Sequence, residues 1–474
     1  MPEEIYDLIV IGAGPGGYTA AIRASQLGMK VALVERRDTP GGVCLNEGCI
    51  PSKALLDSSE LFALARDDFA RHGILAGNLT LDLARMMARK DDVVKKLADG
   101  IAFLLRKNRI QLFQGSAKPA GPRKDGLHVV AITSADTPPI PRLINGRRIL
   151  LATGSRPVEL PGLSFDGATV VSSREALAFP AVPEHLVIVG GGYIGLELGS
   201  VWNRLGARVT LLEELPWILP HADRQVADVL LRTLTKQGLR FLFQARVTRA
   251  EIGEGKAKIQ VTAGETVEEL AFDRILVAVG RTPETDGLGL SEAGIRVDGH
   301  GRVIVDENYQ TSAPGIHAVG DLIPGPLLAH RAMEEGTVFA ERLAGQPSLV
   351  EYEFLPSVAY TRPEVASAGR TEEQVKEEEI PYSVGRFPFS ANGRARCLGD
   401  TDGFVKILAH AETGKVLGIH VIGPRASELI AEAVTVMTYG GSAEDIALTL
   451  HAHPTLSETM KEAALDITKK ALHG

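Results

Sequence analysis

The chain has 474 residues, of which 45% are hydrophobic, and its formal net charge at pH 7 is -8. This length accommodates about three domains. The acidic balance and the lack of a basic run argue against nucleic acid as a partner. No apolar stretch reaches about 18 residues, so the sequence predicts no membrane span.

The start of the chain and its three cysteines favour the cytoplasm. An apolar strand is predicted directly from Ile5, which leaves no room for a targeting sequence. So few cysteines are typical of a reducing compartment, where a close pair is more often catalytic than structural. We expect a bacterial cytoplasmic protein, with a mature mitochondrial matrix protein as the alternative.

A dinucleotide-binding unit is predicted at the beginning. Residues 7–11 read as a buried parallel strand, a glycine-rich turn follows, and a helix is expected from Tyr18 to about Leu27. The next strand ends at Glu35. In such units the glycines let the backbone approach a pyrophosphate at the helix N-terminus, and the acid binds the ribose hydroxyls. The loop residues assigned to this role are Gly12, Gly14, Pro15, Gly16 and Gly17.

The same pattern returns in the second third of the chain. A predicted strand at residues 186–189 leads into a glycine loop and a helix, and the strand at residues 208–212 ends at Glu213. The acid follows the first glycine at the same spacing as in the first unit. Glu214 adds a second negative charge, which would repel a 2′-phosphate and favours NAD over NADP. Glu213 could alternatively be a solvated strand-end charge. The second loop contains Gly190, Gly192, Tyr193 and Ile194.

Two of the cysteines, Cys44 and Cys49, lie in the stretch 41–53. Pro51 favours a helix start, which places Cys49 at a helix N-terminus. The helix dipole and the ammonium of Lys53 then both favour a thiolate, which is the nucleophilic form. This pattern predicts a redox-active pair.

The pair can meet only if the backbone bends, since a regular helix turns residues five apart to different faces. Gly42 and Gly48 permit such a bend. A local structural disulfide or two buried thiols remain alternatives. A zinc site is disfavoured because the third cysteine, Cys397, is far away in the sequence and no cluster of histidines accompanies it.

Strands predicted at residues 148–151 and 274–277 each run into a turn, so hinges are expected near residues 153 and 281. Between the two glycine units, turns at 119–126 and 137–141 flank a small antiparallel meander. From about residue 355, alternating strands and then two helices, at 426–439 and 456–472, indicate an α+β module.

Two acidic residues further along are candidates for a site. Asp321 ends a predicted strand and could meet the ribityl chain of a flavin, with a helix cap as the alternative. Glu458 could orient His453, and a carboxylate that orients an imidazole raises its basicity. Thr455 and Glu458 also fit a helix capping box, and on the residues alone capping is favoured.

The stretches 41–53, 190–197 and 451–458 resemble the pyridine nucleotide-disulfide oxidoreductases, and within them the branch that oxidises dihydrolipoamide. The resemblance covers essentially the whole chain, although Val43 stands where threonine is usual. It implies an α/β fold with two Rossmann-like dinucleotide-binding domains and a C-terminal α+β dimerisation domain. The implied domains are FAD-binding at 1–152 and 282–350, NAD-binding at 153–281, and dimerisation at 351–474.

The resemblance also implies residue roles. A dihydrolipoyl thiol, deprotonated by His453 with Glu458 orienting it, attacks Cys44. Cys49 then lies against the flavin, and Lys53 stabilises the anionic charge. The cofactor-binding residues implied for FAD are Gly12, Gly14, Pro15, Gly16, Gly17, Glu35, Gly42, Lys53, Ala117, Thr153, Gly154, Asp321 and Ala329. Those implied for NAD are Gly190, Gly192, Tyr193, Ile194, Glu197, Glu213, Val247 and Gly280.

The implied partners are a second copy of the chain and the lipoyl domains or acyltransferase core of 2-oxo acid dehydrogenase or glycine cleavage complexes. His453 would serve the disulfide of the other subunit. A glutathione reductase would be expected to have basic residues at positions 213 and 214, and a mercuric reductase an extra C-terminal cysteine pair. A non-catalytic redox sensor or a structural subunit is the alternative from another class.

Overall fold

The computed structural model describes residues 4–121, 125–134, 141–253 and 257–473, and the predicted turns at 119–126 and 137–141 lie partly outside this set. Where the chain is described, no helix combines the length and the apolar character needed to cross a membrane. The helices are α1 Pro15–Gln26, α2 Gly42–Glu47, α3 Cys49–Asp67, α4 Leu83–Lys107, α5 Ser173–Ala176, α6 Tyr193–Arg204, α7 Arg224–Lys236, α8 Ala329–Leu343, α9 Glu372–Glu377, α10 Gly393–Leu398, α11 Ala426–Thr438, α12 Ala443–Leu448 and α13 Glu458–Asp466.

The strands follow the predicted alternation of parallel and antiparallel regions. They are β1 Ile5–Ile11, β2 Val31–Glu35, β3 Gln111–Gln114, β4 Ser116–Pro119, β5 His128–Thr133, β6 Pro141–Leu151, β7 Ser155–Pro157, β8 Val170–Val171, β9 His185–Val189, β10 Arg208–Glu213, β11 Arg240–Phe243, β12 Ala245–Glu251, β13 Ala257–Ala263, β14 Thr266–Phe272, β15 Arg274–Val277, β16 Arg281–Pro283, β17 Ile316–Ala318, β18 Ser357–Ala359, β19 Glu364–Gly369, β20 Tyr382–Pro388, β21 Phe404–His410 and β22 Val416–Gly423.

The chain divides into two compact units, of which the first comprises Met1–Ala54, Ala84–Val158 and Gly280–Val350. Its sheet has the order β3-β2-β1-β6-β5-β4, with β17 also paired to β6. The strands β3, β2, β1, β6 and β17 run parallel, and β5 and β4 continue the sheet antiparallel. Every residue of β2 is buried, as expected for a parallel strand covered on both faces. The carboxyl ends of β1, β2 and β6 therefore meet at one edge.

The second unit comprises Leu55–Leu83, Glu159–Val279 and Glu351–Gly474. It contains a parallel sheet of order β11-β10-β9-β15-β8 and an antiparallel sheet β12-β13-β14. A further antiparallel sheet has the order β18-β19-β22-β21-β20. Its central strands β21 and β22 are almost completely buried, with α11 and α13 contributing to the same apolar core. The second unit thus combines a dinucleotide-type sheet with an α+β region.

The fold class predicted from the sequence is confirmed, while the four domain boundaries remain predictions. The predicted helix at 456–472 was wrong in its extent, because α13 ends at Asp466. The tail then folds back onto Glu462, whose carboxylate accepts the N–H of Leu472 at 2.8 Å and contacts Nδ1 of His473 at 2.7 Å. The sheet β12-β13-β14 and the short helices α9, α10 and α12 were not predicted.

Candidate redox site and dinucleotide-binding loops

The two close cysteines lie on either side of a break between helices. Cys44 is in α2, Gly48 leaves the helical conformation with φ -143° and ψ -111°, and α3 begins at Cys49. The predicted position of Cys49 at a helix N-terminus is therefore confirmed, as is the bend at Gly48. The bend lets the side chains of Cys44 and Cys49 form a hydrogen bond, and both are free cysteines in this structure.

The electrostatics of the pair distinguish its two sulfurs. The pKa of the Cys44 thiol is raised, first by its hydrogen bond with Cys49 and then by burial, although the charge of Lys53 acts in the opposite direction. The raised pKa keeps Cys44 protonated, so that its S–H can donate to the sulfur of Cys49.

The cysteine loop is anchored by contacts to the region after β2. Arg37 forms a two-pronged ion pair with Glu47, with N–O distances of 2.6 and 3.1 Å. Asn46 donates to the carbonyl of Gly42 at 2.9 Å and contacts Thr39 at the same distance. Bidentate pairs of this kind fix orientation as well as adding binding energy. The residues between the cysteines thus hold the loop in place.

The cysteine loop packs directly on the first glycine loop. Gly42 has φ +61°, and a Cβ at this position would lie 2.6 Å from the Cα of Gly14. The N–H of Gly41 also donates to the carbonyl of Ala13 at 2.8 Å. Only glycine allows both the backbone angle and this approach. The redox pair is therefore built beside the loop predicted to bind a dinucleotide.

The first glycine loop has the geometry that a pyrophosphate requires. Helix α1 begins after Gly14 with no side-chain cap from the described residues, which leaves its first N–H groups for a phosphate. Glu35 accepts the N–H groups of Ala13 at 2.7 Å and Arg37 at 3.0 Å. These bonds fix a carboxylate at the carboxyl end of β2, where a ribose would lie. The residues present fit FAD.

The second glycine loop reproduces the first. Glu213 accepts the N–H groups of Gly191 at 2.6 Å and Leu215 at 2.8 Å, as Glu35 does in its loop. Helix α6 begins after Gly192 with no side-chain cap from any described residue. A Cβ added to Gly192 would meet no described atom within 4 Å, so the loop faces open space. The residues of this loop fit a second dinucleotide, and they fit NAD because of Glu213.

A polar network surrounds Asp321 in the first unit. Its Oδ2 accepts the hydroxyl of Ser155 at 2.6 Å, and Ser155 in turn accepts Nε–H of Arg281 at 2.8 Å. Burial lowers the pKa of Arg281, while the charges of Asp321, Cys49 and Glu47 oppose that shift. Sequence reasoning treated residue 281 only as a hinge and so missed this cation near the cysteine pair. Each of the two turns, at 152–157 and 278–283, contains an arginine, and this repeated arginine was the signal in the sequence that could have identified the cation.

Two predicted residues of the second unit are held near the start of α6. Glu197 is buried and accepts the N–H of Tyr360 at 3.1 Å. Burial raises the pKa of Tyr193, whose hydroxyl interacts with Ser357. Both residues therefore have fixed partners in the strand β18 region.

The histidine and the glutamate of the C-terminal motif are paired. Nδ1 of His453 lies 2.8 Å from Oε1 of Glu458, and the His453 side chain is 79% exposed. Burial opposes the ionisation of Glu458, but the N–H of Thr455 and the ring of His453 lower its pKa. Helix α13 has Ser457 as its N-cap and no side-chain cap bond, so Thr455 does not cap it as the favoured capping-box interpretation predicted. The other half of that box is present, because Glu458 accepts the N–H of Thr455 at 2.8 Å while it also holds the ring of His453.

Most of the remaining predicted residues lie on strands, in turns or at a helix start and have no polar side chain that would indicate a role. Thr153 is the exception, because its hydroxyl donates to the carbonyl of Glu284 at 2.6 Å. Ala117 pairs with Ile132 across β4 and β5, and Val247 lies at an irregularity between β12 and β13. Gly154 and Gly280 have positive φ, and Ala329 begins α8. Their cofactor roles remain predictions.

The family profile of the pyridine nucleotide-disulphide oxidoreductases matches residues 6–336, and the profile of that family's dimerisation domain matches residues 355–464. The chain therefore belongs to the pyridine nucleotide-disulphide oxidoreductases. It is an enzyme of the flavoprotein disulfide oxidoreductase type that uses FAD and NAD(H). The predicted family and cofactors are confirmed.

The similar proteins include dihydrolipoyl dehydrogenases. Dihydrolipoyl dehydrogenase 3 of Pseudomonas aeruginosa is 48% identical over 472 residues, covering 99% of both chains. The mitochondrial dihydrolipoyl dehydrogenase 1 of Arabidopsis thaliana is 45% identical over 469 residues, covering 98% of this chain and 91% of that protein. Among solved structures, LpdA of Mycobacterium tuberculosis matches with a TM-score of 0.89 at 28% identity, covering 96% of this chain and 98% of that one.

Replacing Glu213 with arginine is expected to lower the preference for NAD over NADP by about 10- to 100-fold, because the ribose loses a charged acceptor and a 2′-phosphate gains a cation. The measurement is kcat/KM for each nucleotide. Glu265→Arg makes the same charge change at an exposed turn of the same unit and should leave the ratio unchanged. An unaltered ratio in Glu213→Arg would remove Glu213 from nucleotide selection.

Proposed function

We propose that this enzyme oxidises protein-bound dihydrolipoamide to lipoamide and reduces NAD+ to NADH. The observation that carries the proposal is the contact between Cys44 and Cys49 on a loop packed against Gly14, the N-cap of the first dinucleotide helix. The His453–Glu458 pair adds an exposed base for thiol substrates. The similarity to dihydrolipoyl dehydrogenases, at 45% and 48% identity, supports dihydrolipoamide as the dithiol substrate.

The proposed reaction begins at His453. Its Nδ1 is held by Glu458, so Nε2 is the nitrogen that takes the proton from a substrate thiol. The substrate thiolate attacks the sulfur of Cys44 in the oxidised Cys44–Cys49 disulfide, and Cys49 leaves as a thiolate. The second substrate thiol then attacks the substrate sulfur of the mixed disulfide, which closes lipoamide, and Cys44 leaves and takes up the proton that this thiol gives up. Two electrons have passed from the substrate dithiol to the cysteine pair.

Electron transfer onward needs the bound cofactors. FAD supplies two-electron chemistry between the cysteine pair and NAD when it is bound at the first glycine loop. The chain contributes the charge environment for this step, since Lys53 acts on the cysteine pair and Arg281 adds positive charge near Cys49. The N-terminus of α3 at Cys49 favours the same thiolate.

The proposed assembly is a homodimer that serves a larger complex. The matched dimerisation domain at residues 355–464 supports a dimer, and the 79% exposure of His453 suits a base that acts on the disulfide of a second copy. The resemblance to dihydrolipoyl dehydrogenases supports lipoyl domains or the acyltransferase core of a 2-oxo acid dehydrogenase or glycine cleavage complex as partner. The proposed location is a bacterial cytoplasm, with the mitochondrial matrix as the alternative.

The proposed function is tested by comparing two substrate pairs. The holoenzyme should reduce NAD+ with dihydrolipoamide, and it should show at most a trace of activity with glutathione disulfide and NADPH. The acid at position 213 and the absence of a basic residue at position 214 underlie the expected nucleotide preference. Faster turnover with glutathione disulfide and NADPH would overturn the proposal.

Cys49→Ser is expected to abolish the long-wavelength absorbance that develops when the holoenzyme takes up two electrons, because that band requires a thiolate beside the flavin. The measurement is an anaerobic titration with dithionite followed by absorbance. Cys397→Ser is the matched control, since Cys397 lies exposed on α10, and it should keep the band. A band that persists in Cys49→Ser contradicts the assignment of Cys49.

A further inference from the structure

A second histidine lies in the same turn as His453 and has no role in the reaction proposed above. His451 precedes His453 by two residues, but the two side chains differ in their exposure to solvent. The side chain of His451 is 5% exposed, whereas that of His453 is 79% exposed. A histidine ring buried so close to an exposed base needs fixed hydrogen-bond partners.

Both ring nitrogens of His451 face oxygen acceptors. Nε2 lies 2.7 Å from Oε1 of Glu432 on α11, and Nδ1 lies 3.0 Å from the carbonyl of Thr449, the residue directly after α12. A carboxylate and a carbonyl can only accept. Both contacts are therefore hydrogen bonds only when each ring nitrogen carries a proton, that is, in the imidazolium form.

The charged groups around His451 come from three elements. Glu432 on α11 contacts its ring, and the charge of His451 lowers the pKa of Glu458 on α13. Lys461, also on α13, donates to the same Thr449 carbonyl at 3.0 Å and is a nearby cation. His453 completes the set, through its own bond to Glu458. His451 thus lies among two carboxylates, those of Glu432 and Glu458, and one ammonium, that of Lys461.

We propose that Glu432 and His451 form a positioning pair that holds the turn carrying His453 to α11 and places a positive charge beside Glu458. The inference rests on the proposed function, because it concerns the base of that reaction. The ring of His451 contacts the backbone of the turn at the Thr449 carbonyl and α11 through Glu432, and His453 follows after a single residue. The charge of His451 lowers the pKa of Glu458 and so favours its carboxylate, the form that holds Nδ1 of His453.

His451→Gln is expected to lower kcat with dihydrolipoamide by about 10- to 100-fold. The reason is that a displacement of a reacting group, here His453, by about 1 Å slows a reaction by up to about 100-fold. KM for NAD should not change. The acid limb of the pH profile of kcat/KM should move upward, because the cation that lowers the pKa of Glu458 is gone. A purely structural role would lower the rate without moving this limb.

The experiment compares the wild-type holoenzyme with His451→Gln, Glu432→Gln and the double variant, each checked for bound flavin. The single variants should have similar losses in kcat, and the double variant should be little worse than either, as expected for two residues that act as a unit. His473→Gln is the matched control, because His473 pairs with Glu462 at 2.7 Å near the other end of α13. It should keep the wild-type profile.

The outcomes separate the inference from the proposed function. A wild-type enzyme that does not oxidise dihydrolipoamide overturns the proposed function. An active wild type with an unmoved acid limb in His451→Gln overturns the positioning pair. If His451→Gln loses its flavin, Glu432→Gln is the deciding variant, because its amide still offers the His451 ring a hydrogen-bond partner. An undiminished kcat in Glu432→Gln overturns the positioning pair. A loss in kcat of about 10-fold or more, with an unchanged KM for NAD, supports it.

Discussion

Replacing His453 with glutamine is expected to slow NAD reduction by dihydrolipoamide by about 10²- to 10⁴-fold while flavin remains bound. The reason is that Nδ1 of His453 is held at 2.8 Å by Glu458, which leaves Nε2 as the base, and glutamine has no nitrogen that accepts a proton. Because the side chain is 79% exposed, the change leaves no buried group unpaired. The measurement is kcat/KM for dihydrolipoamide at saturating NAD.

A second assay distinguishes loss of the base from general damage. Electron transfer from NADH to an artificial acceptor needs no thiol deprotonation, so the His453→Gln enzyme should retain it. A loss of both activities would mean that the substitution had damaged the cofactor sites. An unaffected rate with dihydrolipoamide would remove His453 from the mechanism.

Lys406→Met is expected to destabilise the protein by about 3 to 5 kcal/mol, the cost of leaving a buried charge without its partner. Nζ of Lys406 lies 2.7 Å from Asp223 and 2.6 Å from Glu372. The side chains of Lys406 and Asp223 are 0% exposed, so Asp223 would keep a charge that water cannot reach. Unfolding in guanidinium chloride, followed by circular dichroism, measures the change.

The same cluster provides its own control. Lys376 pairs with Glu372 at 2.7 Å, but its side chain is 60% exposed, so Lys376→Met should destabilise the protein far less than Lys406→Met. Burial opposes the ionisation of Glu372, yet hydrogen bonds from Lys376, Lys406 and Tyr382 lower its pKa to about 2. Adding Asp223→Asn to Lys406→Met should recover part of the stability, because the unpaired charge is removed. Equal losses for the two lysine variants would contradict this account.

The parts of the site that could be predicted from the sequence are those built from consecutive residues. The loops at Gly12 and Gly190 are short strand-to-helix turns, so spacing alone indicates both the loop and the acid that follows. The bend at Gly48 and the helix start at Cys49 are local in the same sense. In contrast, sequence reasoning preferred a helix cap for Glu458, because a capping box and a charge pair leave the same short-range pattern.

Contacts between distant residues were not predictable in this way. Arg281 lies 126 residues from Ser155, and the Lys406–Asp223 ion pair joins residues 183 apart. The sheet β12-β13-β14 was missed because alternating polar and apolar residues in short strands are a weak signal. The end of α13 was missed because the tail folds back onto Glu462, and the periodicity of residues 456–472 contains no trace of that contact.

The amino-acid sequence by itself determined the two dinucleotide loops, the paired cysteines and hence the class of redox chemistry, because each is encoded within about 30 consecutive residues whose backbone geometry depends on local glycines and helix starts. Only the tertiary structure decided which charged groups surround these parts: Arg281 near Cys49, Glu432 on His451, and Lys406 between two carboxylates. The physical reason is that a side-chain charge acts over distance in space, and the chain brings together charges that the sequence keeps far apart.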